Sequence, residues 1–173
     1  FVARVFGDYV DLEYMKDIRS GTVPANVKVC EFFFKSGALI GNDHAQHHYI
    51  STNYTYATRD LLLRGVNVLA QIVAKREVEA AGGAEVRYSL SCNPDTSLDM
   101  YPQLVDRKLK GEAIAVIGVV HADLPYMVND AEVSPAFFDI VVDEPRYSTR
   151  LFGVPNMSIA TPDSMIGLHA SAL

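Results

Sequence analysis

The run from Ala113 to Val120 constrains the fold more than any other part of the chain, because all its residues are apolar and several are β-branched. A strand that is apolar at consecutive positions is buried on both faces, which is typical of a parallel sheet covered by helices. The run breaks abruptly into a polar turn at 121–125, and a second strand is predicted at 137–143. Since ligands of open α/β sheets bind outside the carboxyl ends of the strands, this turn is the first place to expect a site.

Helical and strand-like segments alternate along the rest of the chain. Periodicity and capping residues predict helices at 8–21, 54–64, 97–109 and, ending in mid-pattern, 162–173. Apolar or alternating runs predict strands at 27–34, 66–73 and 85–92, a polar loop at 35–49 and a turn or short helix at 75–83. Interleaved strands and helices indicate βαβ units. The predicted fold is one α/β domain spanning all 173 residues, with a mainly parallel sheet and helices on both faces.

The composition is that of a globular protein, with 49% hydrophobic and 21% charged residues. A net charge of −6 argues against a nucleic-acid-binding surface, for which clustered basic residues are expected. No apolar run approaches the roughly 20 residues that span a bilayer, and no signal peptide is visible. The two cysteines, Cys30 and Cys92, form no disulfide framework. We therefore expect a cytoplasmic protein that binds neither nucleic acid nor a membrane.

For three polar clusters outside the turn, we favour a structural role over a ligand-binding one. His44, His47 and His48 have the spacing of zinc ligands on a helix, but the segment lacks helical periodicity and no thiol or carboxylate set completes a tetrahedron. We predict a solvated or interface loop there and no metal site. The basic clusters at 75–76 and 107–110 indicate a charged strand end and a helix C-terminus, with phosphate binding as the alternative.

The turn after Val120 follows the most buried strand, contains a proline and concentrates several functional groups. They are carried by His121, Asp123, Tyr126, Asn129 and Asp130. Such a turn is either an ordinary exit from a buried strand, with its polar groups satisfied locally, or one wall of a substrate cleft. The residues alone leave both interpretations open.

This part of the chain resembles the N-terminal domain of the acetyl-CoA hydrolase/transferase family, which includes 4-hydroxybutyrate and succinyl-CoA:acetate CoA-transferases. That family has a strand, a turn of the type Asn-x-Asn-Met-Pro followed by Gly-Asp, and a second strand that ends in acidic residues. The segments that match are 119–125, whose turn reads His-Ala-Asp-Leu-Pro, then 129–130 and 138–144.

The resemblance extends over most of the chain after position 30. Segment 49–73 resembles the family's helix-Gly-strand piece, and 163–173 resembles the helix that precedes the family's Asp-Gly-x-x-Leu-Gln-x-Gly-Ile-Gly segment. The turn differs from the family pattern at three positions. His121 and Asp123 stand where the family usually has Asn, and Asn129 stands where it has Gly.

The resemblance implies a CoA-transferase-like (NagB/RpiA/CoA transferase-like) domain of an enzyme that acts on short acyl-CoA thioesters. In that family a glutamate of the following domain attacks the thioester, and a glutamyl-CoA intermediate then passes CoA to a carboxylate acceptor or to water. No glutamate of this chain lies in that motif, so no catalytic residue is assigned. The chain is accordingly expected to be an N-terminal domain, truncated before the catalytic C-terminal domain and inactive alone.

The partners implied by the resemblance are the C-terminal domain of the same polypeptide, an acyl-CoA and a carboxylate acceptor. No tightly bound cofactor is expected, because the coenzyme A thioester is the substrate. The expected substrate-binding residues are Asp123, Leu124, Pro125, Tyr126 and Asn129. The apolar surface that the second domain would cover could also bind a second copy of the chain, so a homo-oligomer is an open alternative. The alternative function is a non-catalytic α/β ligand-binding or interaction module.

Overall fold

The computed structural model describes residues 12–34, 37–80, 82–147 and 151. The chain divides into two units, one made of Phe1–Val10 with Arg150–Leu173 and the other of Asp11–Thr149. All described residues except Leu151 belong to the second unit. The helix predicted at 162–173 lies outside the described residues, and the single domain over the whole chain stays a prediction.

The described part of the chain is an α/β structure. Its helices are α1 Glu13–Ser20, α2 Asp43–His48, α3 Ala57–Leu63 and α4 Asp95–Leu109. Its strands are β1 Val68–Ala80, β2 Gly83–Ser89, β3 Ala115–Val120, β4 Glu132–Val133 and β5 Ile140–Val142. Short 3-10 turns occur at Tyr54–Tyr56, Asn129–Ala131, Pro135–Phe137 and Pro145–Tyr147.

The five strands form one mixed sheet in the order β4-β2-β1-β3-β5. β1 pairs parallel with β3, and β3 with β5, whereas β2 pairs antiparallel with both β1 and β4. The prediction of a mainly parallel sheet is therefore wrong on the β2 side. The predicted turn or short helix at 75–83 instead continues β1 to Ala80 and returns from Gly83 as a hairpin. So short a connection joins only antiparallel strands, because a parallel pair needs a long crossover.

Helix α4 covers one face of the sheet. Its residues Met100 and Leu104 are buried and belong to one core with Val73, Leu90 and Val116 of the sheet side. Helix α3 packs against α4 and adds two leucines to the same core. These contacts explain why the 3.6-residue pattern of α4 appears in the sequence, since one apolar stripe faces the sheet.

Charged residues and a glycine set the ends of α4. Asp95 lies in the first turn and Arg107 in the last, where each charge complements the helix dipole. Gly111 follows with a φ of +91°, which a residue with a Cβ rarely adopts. The Arg107 Nη1 also donates to the Val66 carbonyl at 2.9 Å and so ties the end of α4 to the start of β1.

The opposite face of the parallel strands is also apolar. Val68, Ile72 and Ile140 are 49%, 40% and 50% exposed there. The register pairs Ile72 with Val119, so the side chains of β3 continue the same apolar face. The described helices α3 and α4 lie on the core face, and a second helical layer over this apolar face stays a prediction.

The segment before α3 differs most from its prediction. The expected strand at 27–34 is irregular, with an isolated bridge between Glu31 and Tyr49. The expected polar loop contains α2, whose first turn is capped by the Asn42 side chain accepting from the Ala45 N–H at 2.9 Å. Among the described residues, this segment is bridged only through Glu31 to Tyr49, so its β propensity alone did not produce a strand.

Gly118 permits the close approach of an aromatic ring to β3. A Cβ at this position would lie 3.1 Å from ring carbons of Phe138. We expect Gly118→Ala to lower the free energy of unfolding by about 1–3 kcal/mol, because the ring must move in a packed core. Gly82→Ala is the control, since its Cβ would meet nothing within 4 Å. Urea unfolding measures both, and equal stability of the two variants would contradict the packing argument.

Candidate functional site

A cavity of about 530 Å³ lies where β3 ends beside β1. Its lining includes Lys75, Arg76, His121, Leu124 and Tyr126. This is the carboxyl end of the parallel strand pair, where open α/β sheets bind their ligands. Two cavities of about 510 Å³ occur elsewhere, one beside α2 and one between α3 and α4. The first cavity is the candidate site because it joins a strand end to two cations and a histidine.

Arg76 and Tyr126, which both line the cavity, form a cluster with Glu132. The Arg76 Nη2 and the Tyr126 hydroxyl both donate to Glu132 Oε2, at 2.9 and 2.8 Å. The Arg76 guanidinium also lies 4.1 Å from the centroid of the Tyr126 ring, a cation–π distance. Burial and the hydrogen bond to Glu132 raise the pKa of Tyr126 to about 12. The phenol therefore stays protonated at neutral pH, and the cluster holds one cation at the cavity surface.

A second cation, on Lys75 within β1, is held by a carboxylate at the end of β5. The Lys75 Nζ donates to Asp143 Oδ2 at 2.7 Å, which links β1 to the residue just after β5. The hydrogen bond and the charge of Asp143 raise the pKa of Lys75, so the ammonium is retained at neutral pH. The pair is partly exposed, so its contribution to stability is small, but it positions the ammonium at the cavity.

His121 is buried at the end of β3. Its backbone N–H donates to the Val73 carbonyl at 2.9 Å, which continues the parallel ladder by one bond. Its Nδ1 accepts from the Asp123 N–H at 3.2 Å, so the ring proton is on Nε2 in this arrangement. The ring therefore stabilises the first bend of the turn and borders the cavity.

Two buried serines at the end of β2 fix the rest of the turn. Ser89 Oγ donates to the Met127 carbonyl at 2.6 Å and accepts from the Met127 N–H at 3.0 Å. Ser91 Oγ donates to the Pro125 carbonyl at 2.7 Å. The alternating pattern of this strand would place both serines on a solvated face, but they are 0% and 3% exposed. Tertiary contact with the turn is what buries them.

The structure brings together two of the five predicted substrate-binding residues. Leu124 and Tyr126 line the cavity. Asp123 is exposed and contributes its backbone N–H to His121, and Pro125 is exposed and contributes its carbonyl to Ser91. Asn129 is exposed, begins a 3-10 turn and has a φ of +61°.

The cavity residues that were not predicted as site residues include Lys75, Arg76 and His121. Lys75 and Arg76 were interpreted as a charged strand end, and His121 was noted only as part of the turn. The two cations could have been predicted as site residues because they directly follow the predicted strand 66–73, next to the expected ligand-binding edge of the sheet. Their distance from 121–126 in sequence concealed the contact.

The histidine cluster of α2 forms a stacked pair. The rings of His44 and His48 lie 4.3 Å apart, and His48 Nδ1 bonds to the His44 carbonyl at 2.9 Å. Within residues 12–34, 37–80 and 82–147, no three His, Cys, Asp or Glu side chains are grouped to hold a metal ion. In the same part of the chain, no helix has the length and apolar character needed to cross a membrane.

Comparisons with family models, curated proteins and solved structures found no match to this chain. The resemblance to the acetyl-CoA hydrolase/transferase family therefore stays a prediction from the sequence.

Proposed function

We propose that this chain is a domain of an acyl-CoA hydrolase or CoA-transferase and forms one wall of its thioester-binding site. The observation that carries the proposal is the cavity at the end of β3, bordered by the turn that resembles the family's turn. The acyl or acceptor end of the substrate would lie against Leu124 and Tyr126. The glutamate that forms the glutamyl-CoA intermediate would belong to a following domain.

The charges around the cavity support a substrate of this kind. Lys75 and Arg76 place two cations at the cavity, each already oriented by a carboxylate partner. A carboxylate acceptor or the polarised carbonyl of a thioester is stabilised by such oriented donors. Leu124 and the ring of Tyr126 supply the apolar contact that a short acyl chain requires.

The test is the binding of acetyl-CoA to the 173-residue chain, measured by isothermal titration calorimetry. Arg76→Gln removes one of the two cavity cations, and we expect about a tenfold weaker affinity, or about 1.4 kcal/mol. Arg87→Gln is the matched control because Arg87 is the register partner of Arg76 on β2 and pairs with Glu85 outside the cavity. Its affinity should equal that of the unaltered chain.

Two results would contradict the proposal. The first is the absence of acetyl-CoA binding, and the second is an equal effect of the Arg76 and Arg87 substitutions. Thiol release from acetyl-CoA is measured in parallel, and none is expected from this chain alone. Turnover by the chain would instead place the catalytic group within these 173 residues.

A further inference from the structure

Each cation of the candidate cavity is paired with a carboxylate that lies outside the cavity lining. The Lys75 ammonium is paired with Asp143 at 2.7 Å, and the Arg76 guanidinium with Glu132 at 2.9 Å. A third carboxylate, on Glu77, belongs to the lining itself. Among the described residues, the charged side chains of the lining and their ion-pair partners are therefore two cations and three carboxylates. The cavity offers charged donors without a net positive charge.

This balance of charges distinguishes a neutral ligand group from an anionic one. An ammonium has three N–H donors and a guanidinium five, so each cation has donors besides the one that its carboxylate accepts. A carbonyl oxygen accepts such a hydrogen bond without adding a charge. A ligand carboxylate accepts it too, but its negative charge then lies near three others, and both cations are already paired. The surroundings therefore favour an uncharged acceptor such as a carbonyl group.

Glu132 contributes more to this balance than the other partner carboxylate because it is less exposed. Its side chain is 28% exposed, against 45% for Asp143, so solvent and salt screen its charge less. Glu132 Oε2 also accepts from two residues of the cavity lining, the Tyr126 hydroxyl at 2.8 Å and the Arg76 guanidinium at 2.9 Å. The carboxylate of Glu132 thus neutralises Arg76 and holds both side chains in place at the cavity.

We infer that Glu132 determines the specificity of the cavity for an uncharged ligand group over an anionic one. Under the proposed function, on which this inference rests, the group that binds beside Leu124 and Tyr126 is the acyl end of the thioester and not a free carboxylate. The acyl group is then that of a monocarboxylic acid, and an acyl group with a terminal carboxylate binds more weakly. Glu132 is a positioning residue, since it acts through Arg76 and Tyr126 and lies outside the cavity lining.

Two thioesters with acyl chains of equal length test this inference. Butyryl-CoA ends in a methyl group and succinyl-CoA in a carboxylate, so the ratio of their affinities isolates the terminal charge from the contribution of coenzyme A. We expect calorimetry to show about tenfold tighter binding of butyryl-CoA by the 173-residue chain. Glu132→Gln keeps a side-chain oxygen that accepts from Arg76 and Tyr126 but removes the negative charge. We expect this variant to bind succinyl-CoA about tenfold more tightly than the unaltered chain does, with little change for butyryl-CoA.

Glu85→Gln is the matched control for the Glu132 substitution. Glu85 pairs with Arg87 at 3.0 Å outside the cavity lining, so its substitution changes the net charge of the chain equally. The affinity ratio of this variant should be that of the unaltered chain. Asp143→Asn removes the other partner carboxylate and should shift the ratio in the same direction as Glu132→Gln, by a smaller factor because Asp143 is more exposed. Should the Glu132 variant not fold, the Asp143 variant decides the matter, and an unchanged ratio would overturn the inference.

The outcomes separate this inference from the proposed function. The inference alone is overturned when both thioesters bind but Glu132→Gln leaves the ratio of their affinities unchanged, or when Glu85→Gln changes it equally. Tighter binding of succinyl-CoA than of butyryl-CoA by the unaltered chain would overturn it as well. No binding of either thioester by any form of the chain would overturn both the inference and the proposed function.

Discussion

Replacement of Leu104 by alanine is expected to lower the free energy of unfolding by about 2–5 kcal/mol. Leu104 is 0% exposed and lies between α4 and the sheet, in contact with the core that includes Val73 and Val116. The loss combines the transfer free energy of the deleted methyl groups with the cavity they leave, because β1 and β3 cannot collapse onto a shorter side chain. Urea unfolding followed by circular dichroism measures the change.

Leu109→Ala is the matched control for the Leu104 substitution. Leu109 lies on the same helix, five residues further along, and is 84% exposed. We expect its loss to be within about 0.5 kcal/mol, as for most surface substitutions. Equal destabilisation by the two variants would contradict the packing of α4 against the sheet.

Replacement of Ser89 by alanine is expected to cost about 1–3 kcal/mol of stability and to loosen the cavity wall. The Ser89 hydroxyl bonds to the carbonyl and the N–H of Met127 and accepts from the Ser91 N–H at 3.1 Å. Alanine leaves these backbone groups without their hydrogen-bond partner. The position is fully buried, since Ser89 is 0% exposed. Buried polar groups that lose their partner carry the full cost of desolvation.

The Ser89 substitution also tests how the turn supports the cavity. We expect amide exchange at 125–127 to become faster and acetyl-CoA affinity to fall, because Tyr126 is held between two anchored neighbours. Ser51→Ala removes an exposed serine hydroxyl and should change neither property. Loss of stability with unchanged exchange in the turn would refute the anchoring role.

Local sequence patterns predicted the elements whose ends are set by nearby residues. The helix that begins near Tyr54 has Asn53 as its cap, accepting from the Tyr56 N–H at 3.2 Å. Gly21 and Gly111 end their helices with positive φ, as glycine permits. The strand at Ala115–Val120 and the turn after it were also predicted from consecutive residues. In each case the determining interactions lie within a few positions along the chain.

Of the candidate site, the turn was predicted from the sequence and its surroundings were not. Tyr126 was expected near substrate, and it lines the cavity. Its neighbour Arg76 comes from the part of β1 that was interpreted as a turn or short helix. The charged residues in this part of β1 interrupt the apolar alternation that identifies a strand. Its strand conformation is instead stabilised by pairing with β2.

The sequence by itself determined the α/β class, the buried strand that ends at Val120 and the polar turn beyond it, because apolar runs and caps act over short distances. Only the tertiary structure decided that β2 returns antiparallel and that Ser89 is buried. It alone also decided that Arg76 meets Tyr126 and Glu132. These contacts join residues far apart in the chain, and no local periodicity encodes which distant group a side chain will reach.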